Sequence, residues 1–172
     1  MNKKFSPEVK KIISVSRDEA IRLGHDYIGT EHLLLGIIQD RSSLACKVLE
    51  ALDVDFDDLK AYVEDSISKS RKDQANFNVG SLPLDKHAEK VLKVTFLEAK
   101  VFKNDEISPE HLMLSILKHT DNLACKIMKK YSVDYETYKN ELDYMSDANE
   151  HFIEDISASS SSESDLPMEE ES

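Results

Sequence analysis

Ile28-Gly29-Thr30-Glu31-His32-Leu33-Leu34-Leu35-Gly36-Ile37 recurs 79 residues later as Ile107-Ser108-Pro109-Glu110-His111-Leu112-Met113-Leu114-Ser115-Ile116. At the same offset Leu44-Ala45-Cys46-Lys47 returns as Leu123-Ala124-Cys125-Lys126, Glu19-Ala20 as Glu98-Ala99, and Val54-Asp55 as Val133-Asp134. The register holds without a gap from Phe5 to Met145. About 18 of the 62 aligned pairs are identical and most others keep their apolar character, which chance does not produce. The chain carries an internal duplication, with repeat one over about 3–67 and repeat two over about 82–145.

Each repeat reads as four helices. The first opens at Ser6-Pro7, a capping residue followed by proline at the first turn. It sets Val9, Ile12, Ile13, Ala20 and Leu23 at helical spacing before Gly24 stops it. Ala88, Val91, Leu92, Ala99 and Phe102 are its counterparts. The second helix opens at Gly29 or Ser108 and is apolar nearly all round, which predicts a central position. Short third helices follow around Leu44 to Leu52 and Leu123 to Tyr131. Asp55 and Asp134 are placed to cap a fourth pair, whose inward faces carry Phe56, Leu59, Val63 and Ile67, or Tyr135, Tyr138 and Leu142. The fold class expected is all-α, two tandem four-helix repeats.

Two polar stretches flank this pattern. Ser68 to Leu82, with Asn76, Asn78, Gly80 and Ser81, reads as a connecting loop. Residues 146–172 hold nine Asp and Glu and no Lys or Arg, so most of the net charge of −12 belongs there. Low hydrophobicity and one-signed charge predict a disordered acidic linker. The domains expected are therefore 1–145 and 146–172.

Composition excludes several function classes. The four glycines, Gly24, Gly29, Gly36 and Gly80, form neither of the common phosphate-cradling loops, so no nucleotide or other cofactor is expected. Net acidity disfavours nucleic acid, whose binding draws on Lys and Arg. Neither a signal peptide nor a membrane span is present in the sequence pattern, and Cys46 and Cys125 lack paired spacing, so a cytoplasmic chain with no membrane partner is expected. Both cysteines read as small buried apolar residues.

The doubled motif, Gly24-His25 followed by Ile28 to Ile37 and again Ile107 to Leu114, resembles the Clp repeat domain at the N-terminus of ClpC- and ClpA-type AAA+ unfoldases. The resemblance covers about residues 3–145. It implies a pseudo-twofold pair of four-helix repeats, tethered to ATPase modules, that receives adaptor proteins and protein clients for the ClpP peptidase. Those modules have no counterpart in this sequence, so the chain itself is not expected to be an enzyme. Met1-Asn2 reads as a natural start and Ser172 does not read as a natural end, so the chain is expected to be the N-terminal piece of a longer unfoldase. The alternatives are a free-standing Clp-repeat accessory protein and, from a different class, a small hydrolase using the Glu-His pairs.

Adjacent residues of a helix point about 100° apart, so Glu31-His32 and Glu110-His111 are poorly arranged for joint acid-base chemistry. No metal-ligand spacing surrounds them, and no metal is expected. Glu in the first turn suits the helix dipole, and His32 and His111 are expected to hydrogen-bond between helices. With Gly29 and Ser108 as N-caps, Glu31 and Glu110 stand beside unsatisfied N–H groups able to hold an anion, while their carboxylates favour a cation. A phosphorylated arginine side chain carries both charges. The resemblance implies recognition of arginine-phosphorylated clients in some members, through the Glu of this motif. The ligand-binding residues expected are Gly29, Thr30, Glu31, Ser108 and Glu110, with the second turn weakened because Pro109 replaces Thr30. Tyr131, Tyr135, Tyr138 and Tyr144 are expected to pack in the core or at its rim.

Overall fold

The computed structural model describes residues 4–70, 82–101 and 105–147. Among them the order is β1 (Lys4–Phe5), α1 (Pro7–Arg22), α2 (Thr30–Gln39), α3 (Leu44–Ala51), α4 (Phe56–Ser70), α5 (Lys86–Val101), β2 (Glu106–Ile107), α6 (Pro109–Lys118), α7 (Leu123–Lys129) and a last helix, α8, over 135–147. The helices of the first set return in the second at the 79-residue offset, α1 and α2 at both ends.

Local chemistry sets these bounds. Ser6 caps α1, its hydroxyl accepting the Val9 N–H at 3.2 Å, and Pro7 follows where no N–H is needed. Gly24, at φ 79°, turns the chain out of α1. Ser43 and Asn122 accept from Cys46 and Cys125 at the starts of α3 and α7, and Asp55 and Asp134 cap α4 and α8. Asp53 and Ser132, again 79 residues apart, both adopt positive φ to make the turn into the fourth helix.

α2 and α6 lie at the centre. Every residue from Thr30 to Ile38 is buried, and so is nearly all of α6, whereas α1 and α5 bury one stripe and cover them. One apolar cluster runs through both repeats, from Val9 and Leu33 to Met113 and Leu142. Tyr138 is fully buried in it and donates its hydroxyl to the Ala45 carbonyl at 3.0 Å. Tyr131 and Tyr135 are half-buried, and Tyr144 is exposed.

The all-helical reading contained no strand, and the structure adds two short crossovers. Lys4–Phe5 pairs in parallel with Glu106–Ile107, and Ile28 bridges Leu84. The Ser6 N–H reaches the Ile107 carbonyl at 2.9 Å and the Asp85 N–H reaches the Ile28 carbonyl at 2.9 Å. Each of these pairs is the other shifted by 79 residues and exchanged between repeats. The segment leading into the first helix of either repeat is thus pinned beside the segment leading into the central helix of the other. Two-residue pairings leave no alternating pattern for a sequence to show.

α8 includes Ser146 and Asp147; the rest of the acidic linker expected over 146–172, and residues 71–81 of the connecting loop, lie outside the described residues.

Candidate functional site

The two Glu-His turns sit where each central helix begins, against the first helix of the opposite repeat. At the first, the Glu31 carboxylate folds back over its own N-cap. A Cβ on Gly29, whose backbone is ordinary extended chain (φ −105°), would meet this carboxylate and displace it. Tyr27 donates its hydroxyl to Glu31 Oε2 at 3.2 Å. Glu31 is 4% exposed, and burial raises its pKa above the usual carboxylate range. Its own backbone N–H opposes the shift and Asp85, at the start of α5, reinforces it; Tyr27 and His87 weigh against it.

At the second turn Ser108 brings the Cβ that Gly29 lacks, and Glu110 is only half-buried. Burial again raises its pKa, its own N–H lowers it and Glu8 of α1 raises it. Glu8 and His87 occupy equivalent places in the duplication, so the two turns face equivalent neighbours of different charge. Among the described residues neither motif carboxylate is paired with a Lys or Arg.

The histidines add a local role that the sequence reading did not include. His32 Nδ1 accepts the Gly29 N–H at 2.8 Å and His111 Nδ1 accepts the Ser108 N–H at 2.9 Å, each reaching back from the third helical position to its own cap. With Nδ1 accepting, neutral His32 carries its proton on Nε2 and donates it to His25 Nδ1 at 2.8 Å. Burial and the neighbouring His25 push the His32 pKa down to about 3, against a smaller opposing pull from Glu19. His32 is fully buried with both ring nitrogens engaged, so it is not available as a general base for the hydrolase alternative. Among the described residues no group of His, Cys, Asp and Glu is placed to hold a metal ion, and no helix is long and apolar enough to cross a membrane.

Thr30 is committed elsewhere. Its hydroxyl accepts the Ala124 N–H at 3.2 Å, tying α2 to α7 across the repeats, and it is 1% exposed. Pro109, its counterpart, is buried as the first residue of α6.

The family described as the Clp repeat (R) N-terminal domain matches residues 4–100 and again, overlapping, 83–171. The chain belongs to this family. As a Clp repeat domain it is 29% identical over 171 residues to the chloroplastic chaperone protein ClpC2 of Arabidopsis thaliana, covering 99% of this chain and 18% of that protein. It is 30% identical over 134 residues to the ATP-dependent Clp protease ATP-binding subunit ClpA homolog of Guillardia theta, covering 78% of the chain and 16% of that protein. The fold matches the N-terminal domain of the caseinolytic protease associated chaperone ClpD of Arabidopsis thaliana (TM-score 0.65, 20% identity, 83% of this chain and 94% of that one). It also matches the Hsp104 N-terminal domain of Candida albicans (TM-score 0.64, 16% identity, 81% and 89%). The Clp repeat chain thus spans less than a fifth of the length of these curated relatives.

Sequence reasoning placed Gly29, Glu31, Ser108 and Glu110 at their helix starts but missed Tyr27, Asp85, His87 and Glu8 around the two carboxylates. Tyr27 stands four residues before Glu31, a spacing that carries no motif, and the other three arrive through the crossovers.

Proposed function

We propose that this Clp repeat domain receives adaptor or client proteins for an ATP-dependent Clp unfoldase and its peptidase, and that the Gly29–His32 and Ser108–His111 turns read a cationic side chain through Glu31 and Glu110. The observation that supports the reading is the pair of motif carboxylates, Glu31 buried and Glu110 half-buried, with no Lys or Arg partner among the described residues. An ionised carboxylate in that state is costly, and a ligand guanidinium would relieve the cost with charge-assisted hydrogen bonds. The Glu31 carboxylate folds onto its own backbone N–H at the start of α2. Swinging it outward would expose that N–H to the phosphate of a phosphorylated arginine while the carboxylate takes the guanidinium. Glu110, already half-buried, needs a smaller movement, whereas Pro109 leaves its turn one N–H poorer.

Calorimetric titration of the wild type, Glu31→Ala and Glu110→Ala with phosphoarginine, free arginine and inorganic phosphate tests this. Phosphoarginine is expected to bind about tenfold or more tightly than either half-ligand, since each half forgoes charge-assisted bonds of about 1.5–3 kcal/mol. Loss of most of the affinity in Glu31→Ala, with a smaller loss in Glu110→Ala, is the expected pattern. Equal affinities in all three proteins would confine the motif carboxylates to the helix dipole.

A further inference from the structure

The two Glu-His turns occupy equivalent places in the duplication, yet their surroundings differ in charge. Beside the second turn a cavity of about 350 Å³ lies between α1 and the end of α2 and reaches the starts of α3 and α6. Its polar wall holds Glu8, Lys11, Gln39 and Asp40, and Pro109 of the turn itself lines it. Ile12 and Ile37 supply apolar lining. Shifted by 79 residues, the four polar positions hold His87, Lys90, Lys118 and His119 beside the first turn. The lysine is kept, both acids become histidines and the glutamine becomes a lysine. Inside the cavity the Ser42 hydroxyl and N–H hold the Asp40 carboxyl below its usual range, and Lys11 adds to that effect. Glu8 has no such answer. It is exposed, its side chain makes no ion pair or hydrogen bond among the described residues, and its charge adds to burial in raising the Glu110 pKa. The second turn therefore combines two carboxylates without a cation, and Pro109 gives it one N–H fewer than the first.

We infer that the second turn and its cavity take an unphosphorylated arginine side chain of a protein segment, its guanidinium held by Glu8 and Glu110 and its methylene stem laid against the apolar lining, with Glu8 deciding which form of arginine is accepted. An unmodified guanidinium brings five donors to two carboxylates. A phosphate on it would set like charge beside Glu8 and would find one backbone donor fewer at the helix start. An ammonium is a compact charge with three donors and serves two carboxylates less well than the planar fork. The volume stands at the lower end of the range for small-ligand sites and suits one side chain. The inference rests on the proposed reading of the turns as cation-reading sites and divides them: the first takes phosphorylated arginine, the second the unmodified side chain.

The test is an amide-resolved NMR titration of the full chain with three short peptides that differ at one residue: arginine, phosphoarginine or lysine. The arginine peptide is expected to shift the Glu8, Ser108 and Glu110 amides saturably, at about tenfold lower concentration than either other peptide needs there. Glu8→His, the residue type at the equivalent place beside the first turn, is expected to weaken the arginine peptide about tenfold at the second turn and to strengthen the phosphoarginine peptide there. The Gly29 and Glu31 amides should respond to phosphoarginine in this variant as they do in the wild type. Glu8 is exposed, so the variant keeps the helical circular dichroism. Three outcomes overturn the inference: phosphoarginine shifting both turns at equal concentration, lysine matching arginine at the second turn, or Glu8→His binding the arginine peptide as tightly as the wild type. The first of these leaves the proposed function standing, because both turns then read phosphoarginine. Peptides that shift neither turn overturn both.

Discussion

The Thr30 hydroxyl at the start of α2 accepts the backbone N–H of Ala124 in α7, 94 residues away, at 3.2 Å. That N–H lies in the first turn of α7, where no helical carbonyl is available, and the contact is buried. Thr30→Val keeps the shape and removes the acceptor, leaving a buried donor unsatisfied. A loss of about 1–3 kcal/mol in urea unfolding is expected, most of it restored in Thr30→Ser. Equal stability of the Val and Ser variants would show that the N–H finds another partner.

The two repeats meet their first helices in different ways at equivalent positions. Gly36 lies so close to α1 that a Cβ would sit 2.7 Å from both the Ile12 carbonyl and Ser16 Oγ. Its counterpart Ser115 turns the same approach into a hydrogen bond, donating to the Val91 carbonyl at 2.7 Å. Gly36→Ala forces α1 and α2 apart and is expected to cost about 1–3 kcal/mol, read as a lowered urea midpoint. A midpoint within experimental error of wild type would mean that α1 slides to make room.

How far the sequence carries differs from element to element. Ser6, Asp55 and Asp134 are read as caps because their side chains act over three residues, and the structure adds Ser43 and Asn122 by the same logic. The crossovers escape because Phe5 and Ile107 are a hundred residues apart and pair over only two positions. The cap bond of His32 escapes for a physical reason: an aromatic ring on an apolar helix reads as a contact beyond its own helix, and its Nε2 does reach His25. In the structure His32 also does the work that Glu or Gln does at the third position of a capping box. The Glu31 carboxylate occupies space that a Cβ on Gly29 would take, a local relation visible in the sequence only when Gly29 is set against Ser108.

Acid should destabilise the fold through His32. In the native state Nδ1 accepts the Gly29 N–H, and burial with His25 nearby pushes the pKa down to about 3. In the unfolded chain the imidazole takes up a proton near its ordinary value of about 6.5. Between those limits the unfolded state binds a proton that the native state refuses, so stability falls as the pH falls, by up to about 1.4 kcal/mol per pH unit. His32→Gln still reaches the Gly29 N–H and does not titrate. Urea midpoints compared at pH 7 and pH 5 should fall less in the variant than in the wild type; parallel falls would place the acid sensitivity elsewhere.

Glu31 has the opposite sign. Burial raises its native pKa above the unfolded value, with Asp85 adding to the shift. Its contribution to stability is therefore complete below about pH 4 and is lost as the pH rises through the native pKa. Above the native pKa the folded chain carries an ionised carboxylate in a site that favours the neutral form. Glu31→Gln keeps an acceptor for the Tyr27 hydroxyl and for its own N–H without the charge. It is expected to unfold at higher urea than the wild type at pH 7, with the two curves converging as the pH falls below about 4. The same variant is expected to lose about tenfold or more in phosphoarginine affinity, because the neutral amide no longer attracts a guanidinium. A site tuned for a ligand at the expense of the fold shows both changes together. Higher stability with unchanged affinity would separate the buried charge from recognition, and unchanged stability at pH 7 would show that the carboxylate is better solvated than its burial implies.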